Sequence, residues 1–246
     1  MLRTASNLKG TTIAATDGDI GSIQDLYFDD LSWTIRYLVV DTGTWLPGRQ
    51  VLISPISVRA TTRSDGVAVA LTKKQVENSP SIDADKPINR EYEEAYSQYY
   101  GYTYYWSGPY RWGNTRYAGE MAPSAGVAPS AATAIRDRTL RSVRDVTGYY
   151  IKATDGDIGH VEDFMIDDRE WAIRYMIVDT RNWWPGKNVV ISPDWIRSAS
   201  WRESKVYVDL SREEVKAAPE YDPDRPVERQ YESRLFHHYG RRNYWE

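Results

Sequence analysis

Cysteine is absent from this chain of 246 residues, which removes disulfide frameworks, thiolate nucleophiles, iron–sulfur clusters and cysteine-ligated zinc. Long apolar runs are missing too. No stretch approaches the roughly 18 consecutive apolar residues of a membrane-spanning helix, and the first twenty residues hold no apolar core of signal-peptide length. The expectation is a cytoplasmic protein with no membrane span. Histidine is scarce, and His160, His237 and His238 form no H-E-x-x-H pattern. No G-x-S-x-G elbow, phosphate-cradling loop or dinucleotide glycine fingerprint is present either, so neither catalysis nor a cofactor is expected. The net charge of -4 is too mild to hold a phosphate backbone by counterion release, which makes nucleic acid an unlikely partner.

What is abundant is rings with a polar handle: ten Trp and nineteen Tyr against three Phe. Such side chains suit half-wet surfaces and interface anchors.

The string TDGDIG occurs at Thr16–Gly21 and again at Thr154–Gly159. It belongs to an internal duplication in which Thr16–Pro55 aligns with Thr154–Pro193 and well over half of the positions are identical. Asp25 falls on Asp163, Trp33 on Trp171, Arg36 on Arg174, Asp41 on Asp179, Pro47-Gly48 on Pro185-Gly186, and Ile53-Ser-Pro on Ile191-Ser-Pro. Beyond Pro55 the register slips by one residue; Val67, Val69 and Leu71 then meet Val206, Val208 and Leu210, and Trp106 meets Trp245. Each copy has the size of a domain, about a hundred residues. The expected organisation is a first domain over 1–106, an Ala/Pro/Ser/Gly-rich linker over 107–138 and a second domain over 139–246. The linker rests chiefly on GEMAPSAGVAPSAATAIRD, Gly119–Asp137.

Within each copy, WTIRYLVVD, VAVAL and their counterparts predict short strands. Thr72–Gln75 and Ser211–Glu214 are capping boxes that predict a short helix ending before Pro80 and Pro219. Tyr92, Tyr96 and Tyr99/Tyr100, repeated as Tyr231, Leu235 and His238/Tyr239, are spaced for one face of a second helix. The fold class is mainly β: two tandem small antiparallel barrels, each followed by short helices.

Two turn motifs carry the candidate sites. In TDGDIG, Gly18, Gly21, Gly156 and Gly159 supply backbone freedom for a turn and a bulge. Asp17 with Asp19, and Asp155 with Asp157, are weak metal candidates. The calcium-loop pattern fails, since the twelfth position counted from Asp17 or Asp155 is Phe28 or Ile166 rather than Glu. In WLPGR and WWPGK, Pro47-Gly48 and Pro185-Gly186 fit type II turns. Beside them Trp45, Trp183 and Trp184 either fold back over the domain, form a protein contact or stack on a sugar. Together with Tyr92, Tyr96, Tyr99, Tyr231 and Tyr239 they are the interaction candidates. Arg36 and Arg174 interrupt apolar strands and need an ion pair with a nearby Asp or a bound anion. Asp41 and Asp179 complete the structural set.

DGDIGSIQDLYFDDLSWTIRYLVVDTGTWLPGRQVLISP and its second copy resemble the PRC-barrel domain. The resemblance implies a small, highly bent β-barrel that serves as an interaction module without shared catalytic residues. The family includes the cytoplasmic domain of the photosynthetic reaction-centre H subunit, the C-terminal domain of a ribosome-maturation factor and many stand-alone bacterial members without an assigned role, so the resemblance implies a bacterial protein. The membrane helix of the first and the separate N-terminal domain of the second have no counterpart here. The expected function is a non-catalytic protein-interaction or assembly module whose protein partner is unknown, with barrel–barrel pairing within the chain or a homodimer. The alternatives are a ribosome- or RNA-associated factor and an accessory of a photosynthetic electron-transfer complex.

Overall fold

The computed structural model describes residues 1–62, 66–82, 87–121, 140–180 and 188–246. In chain order they form β1 (Leu2–Thr4), α1 (Ala5–Leu8), β2 (Thr12–Ala15), β3 (Gly18–Asp29), β4 (Thr34–Asp41), β5 (Gln50–Ile53), β6 (Val58–Thr62), β7 (Gly66–Val69), α2 (Lys73–Glu77) and α3 (Arg90–Tyr100). Then follow β8 (Arg141–Ser142), α4 (Val143–Val146), β9 (Tyr150–Ala153), β10 (Gly156–Asp167), β11 (Ala172–Asp179), β12 (Asn188–Ile191), β13 (Ile196–Ser200), β14 (Lys205–Val208), α5 (Arg212–Ala217) and α6 (Arg229–His238). The chain divides into two compact units. The first comprises Met1, Arg3–Arg144 and Asp167–Ala172; the second comprises Leu2, Asp145–Ile166 and Ile173–Glu246.

In the first unit the strand order is β4-β3-β2-β7-β6, with β5 on the outer side of β4. The pairs β2–β3, β3–β4, β4–β5 and β6–β7 are antiparallel, but β2 and β7 run parallel through Ile13–Val67 and Ala14–Ala68. The second unit repeats the order as β13-β14-β9-β10-β11, with β12 on β11. There Lys205, Val206 and Tyr207 of β14 run parallel to Tyr150, Ile151 and Lys152 of β9. The expectation of purely antiparallel pairing is corrected: each sheet is mixed, because the strand before the capping box returns beside the first strand of the TDGDIG hairpin. Among the described residues the pairings do not close either sheet on itself.

β4 and β11 are buried along nearly their whole length, as their runs of β-branched and aromatic residues require. Alternation on β7 puts Val67 and Val69 inward, and on β14 it puts Val206 and Val208 inward. Both capping boxes are formed, Thr72 with Gln75 and Ser211 with Glu214. The repeated Ile-Ser-Pro has a local cause. Ser54 and Ser192 accept from the amides of Ile56 and Asp194, capping single helical turns that open on Pro55 and Pro193.

One segment departs from the sequence reading. Trp112, Ala118 and Met121 are buried and Tyr110 and Gly113 bridge one another, so residues 107–121 are folded and do not belong to the expected 107–138 linker. Their composition is rich in rings until Tyr117, which supplies the apolar area that the Ala/Pro-rich part lacks. Residues 122–139 lie outside the described set.

The strongest backbone constraint sits inside TDGDIG. Gly21 has φ +150°, and a Cβ there would overlap the Asp41 carbonyl; Gly159, at φ +144°, meets the Asp179 carbonyl in the same way. Ile20 and Ile158 stand at the adjoining register shifts of the hairpins, so each bulge turns its isoleucine into the core. Gly10, at φ +80°, faces open space. Gly21→Ala is therefore expected to destabilise the chain by about 2 kcal/mol or more, since left-handed strain and a backbone collision add, whereas Gly10→Ala costs about 1 kcal/mol. Urea unfolding of both variants checks the contrast, and equal losses would remove the close-approach argument.

Candidate functional site

The Arg buried in β4 is held through both of its terminal nitrogens and by two rings, while its Nε has no hydrogen-bond partner among the described residues. Arg36 pairs with Asp29 at 3.2 Å, donates to the Ser32 hydroxyl at 3.0 Å and donates to the Arg111 carbonyl at 2.6 Å. Its guanidinium carbon lies 3.5 Å from the Tyr105 ring centroid and 4.8 Å from that of Trp112. Asp29 is fixed in turn, accepting from the Leu31 amide at 2.9 Å and the Ser32 hydroxyl at 3.2 Å. Burial alone would raise its pKa, but the Arg36 charge and these hydrogen bonds outweigh it and hold the carboxyl below its ordinary value. The folded state thus keeps this contribution above the ordinary carboxylate range and loses it as pH falls further. The guanidinium is an internal cross-link, and the ion-pair alternative is the one its geometry matches.

A second charge pair lies behind the same ring. Glu93 of α3 accepts from the Tyr105 hydroxyl at 2.9 Å and pairs with Arg90 at 3.0 Å. Arg90 donates to that hydroxyl at 3.1 Å and stacks 3.8 Å over the Trp106 ring. The second unit repeats the arrangement on aligned residues. Glu232 accepts from the Tyr175 and Tyr244 hydroxyls, each at 2.8 Å, and pairs with Arg229 at 3.0 Å. Arg229 covers Trp245 at 4.0 Å, and Arg174 covers Tyr244 at 4.1 Å. Arg90, Glu93, Arg229 and Glu232 escaped the sequence reading. The signal was available: Arg-x-x-Glu at one spacing in both copies, followed at equal distance by Tyr-Trp.

The two turn motifs meet at one corner of the first unit. Asp17 accepts from the Lys73 amide at 2.8 Å and so caps α2 from a distance of many residues; Asp155 does the same for Arg212 at the start of α5. The Lys73 ammonium lies 4.7 Å from the centroid of Trp45, which is half-buried. The Arg49 amide donates to the Leu46 carbonyl across Pro47 and Gly48, whose φ is +74°, the type II turn that Pro-Gly favours. Asp41 accepts from the Gly43 amide at 2.9 Å. Asp19 and Asp157 are exposed on their strands, and no group of three His, Asp or Glu fit to hold a metal occurs among the described residues. Trp183, Trp184, Pro185 and Gly186 lie outside the described residues.

The tyrosines of the helix stripe divide by depth. Tyr96 is buried, accepts from the Ser54 amide at 3.0 Å and donates to the Leu52 carbonyl at 3.2 Å, tying α3 to β5. Tyr239 is buried against Trp195. These two are corrected from interaction residues to core, because the helix stripe that bears them faces the sheet. Tyr92 and Tyr231 are half-buried and donate to the carbonyls of Pro80 and Pro219. Tyr99 stays 41% exposed and donates to the Gln75 carbonyl of α2 at 2.8 Å. At the aligned place His238 Nε2 donates to the Glu214 carbonyl at 2.8 Å, which spends this imidazole on helix packing. His160 Nε2 lies 3.7 Å from the buried Asp179 carboxylate.

Residues 2–75 match the family described as the PRC-barrel domain. The matched PRC-barrel stretch runs from β1 to the capping box of α2, and it stops before α3, Tyr105 and Trp106. The buried Arg90–Glu93 pair and the whole second copy lie outside the matched residues. No curated protein matches the chain.

A depression of about 460 Å³ in the second unit lies beside α6, between Glu220, Asp222 and Glu228 on one hand and Arg225 and Arg234 on the other. Its charges alternate and Asp222 pairs with Arg225 at 3.2 Å, so it selects no ligand charge.

Burial lifts the Glu93 carboxyl to about 7 although Arg90 and the Tyr105 hydroxyl pull it down. An acid with a raised folded-state pKa favours the fold while protonated, so its share of stability is complete in acid and declines as pH rises from the ordinary Glu range through neutrality. Replacing Glu93→Gln keeps an acceptor for Tyr105 and deletes the titration. Urea unfolding across this interval, followed by Trp fluorescence, is expected to show a decline in the parent that the variant lacks. Parallel pH profiles would contradict the assignment.

Proposed function

We propose that the chain is a non-catalytic binding and assembly module built from two PRC-type barrels, one in each copy, that engages a protein partner. The PRC-barrel match over residues 2–75 supports this reading. So does the fate of the acid–base groups: Asp29, Arg36, Arg90, Glu93 and Tyr105 are all committed to one another. The observation that carries it is the corner around α2, where Trp45, Lys73 and Tyr99 remain at the surface while the backbone beneath them is fixed by Asp17 and the capping box. Aromatic rings held partly exposed on a rigid support lose little entropy on binding, which is what interface anchors need.

Catalysis has no role in this reading, and the cytoplasm is the proposed location. Tagged full-length chain and its Trp45→Ser/Tyr99→Ser variant, each characterised by light scattering during size exclusion, test the proposal. The parent is expected to self-associate or to capture defined proteins that the variant releases, with melting temperatures within about 4 °C of each other. A monomer whose captured proteins are unchanged by the double substitution would dismiss the corner as an interface.

A further inference from the structure

The outer face of the second unit carries a pattern that the first lacks. On β9 the buried Ile151 and Ala153 alternate with Tyr150 and Lys152; on β14 the buried Val206 and Val208 alternate with Lys205 and Tyr207. The parallel register sets Lys205 beside Tyr150 and Tyr207 beside Lys152. Two rings and two ammonium groups thus form a checkerboard on adjacent strands, about 4.8 Å apart across and about 7 Å apart along each strand. Ser198 and Ser200 of β13 flank it on one side, His160 and Asp157 of β10 on the other. Tyr150 is 61% exposed.

The duplication supplies an internal control. The same four places in the first copy are Thr12, Ala14, Gly66 and Ala68, on strands that pair in the same parallel sense. The scaffold does not require rings or cations there. All four positions differ in one direction, toward aromatic or cationic side chains.

We propose that the outer face of β9 and β14 is a docking platform for a single strand of nucleic acid, with bases stacked on Tyr150 and Tyr207 and phosphates drawn to Lys152 and Lys205. Alternating stacking and cationic groups are the chemistry of sequence-tolerant single-strand binding. A duplex keeps its base faces stacked inside and leaves these rings unused. A protein partner fits less well, because lysine is depleted at protein interface centres. The mild charge of the whole chain does not decide the matter, since the platform is local. Two acids oppose it: Asp157 sits across from Lys152 on β10, and Glu203 lies 3.6 Å from the Lys205 ammonium and accepts from the Tyr207 hydroxyl at 3.4 Å, so a bound strand competes with these carboxylates.

The inference goes beyond the α2 corner and uses the other unit, so each can fail alone. Fluorescence anisotropy of the full-length chain with short labelled oligouridylate and oligodeoxythymidylate, over a salt series, tests it. Binding is expected to weaken with salt by a log–log slope of about 0.7 for each lysine engaged. Lys152→Ala and Lys205→Ala should each remove about that much of the slope, and the surface control Lys9→Ala should remove none. Tyr150→Ala is expected to weaken binding roughly 5- to 150-fold. Glu203→Gln should tighten it, a gain that a purely structural role for this face does not give. Absence of binding at low salt, binding indifferent to these substitutions, or preference for duplex or for an acidic peptide over the oligonucleotides would each overturn the proposal.

Discussion

The first unit is organised around a guanidinium that has been taken out of water. A buried positive charge is tolerated only if nearly every face of it is answered, and Arg36 is answered by Asp29, the Ser32 hydroxyl, the Arg111 carbonyl and the rings of Tyr105 and Trp112. The requirement reaches far along the chain. It fixes the β3–β4 hairpin through Asp29 and Ser32, and it draws residues 105–112 onto a sheet built from residues 12–69. Charge satisfaction acts together with the apolar area of the rings to pack the extension beyond the capping box as part of the unit.

Local features were readable from the residue order. The Pro-Gly turn, the two capping boxes, the twin helices and the buried β4 strand each follow from the preferences of a few neighbouring residues, and the structure places each where those preferences put it. The partner of Arg36 was legible only as a nearby aspartate or a bound anion, since Asp25, Asp29, Asp30 and Asp41 all lie close to it in the chain. What could not be read was anything set by distant pairing. The parallel β2–β7 contact, the capping of α2 by Asp17 and the inward turn of Tyr96 all join residues separated by forty or more positions.

The candidate site was legible in its parts but not in its division of labour. The excess of Tyr and Trp was visible, yet the sequence does not say which rings line the core. Tyr96 and Tyr99 lie on one helix three residues apart, and one is sealed against Leu52 and Ser54 while the other stays at the surface. Depth is decided by the sheet beneath, which periodicity alone does not locate. The Arg90–Glu93 pair passed unnoticed because an Arg-x-x-Glu on a helix usually decorates a solvated face, and only its repetition beside a shared Tyr-Trp marks it as interior.

The parallel seam between β2 and β7 has a kinetic meaning. The strands from β2 through β5 follow one another and can zip up as a meander, each recruiting its neighbour across a short turn. The seam must wait until the chain has travelled to β7 and come back, so its closure carries a loop-entropy cost that the meander avoids. Assembly of the first unit is then gated by this single late return, and a weaker seam at Ile13 or Val67 slows refolding more than it hastens unfolding.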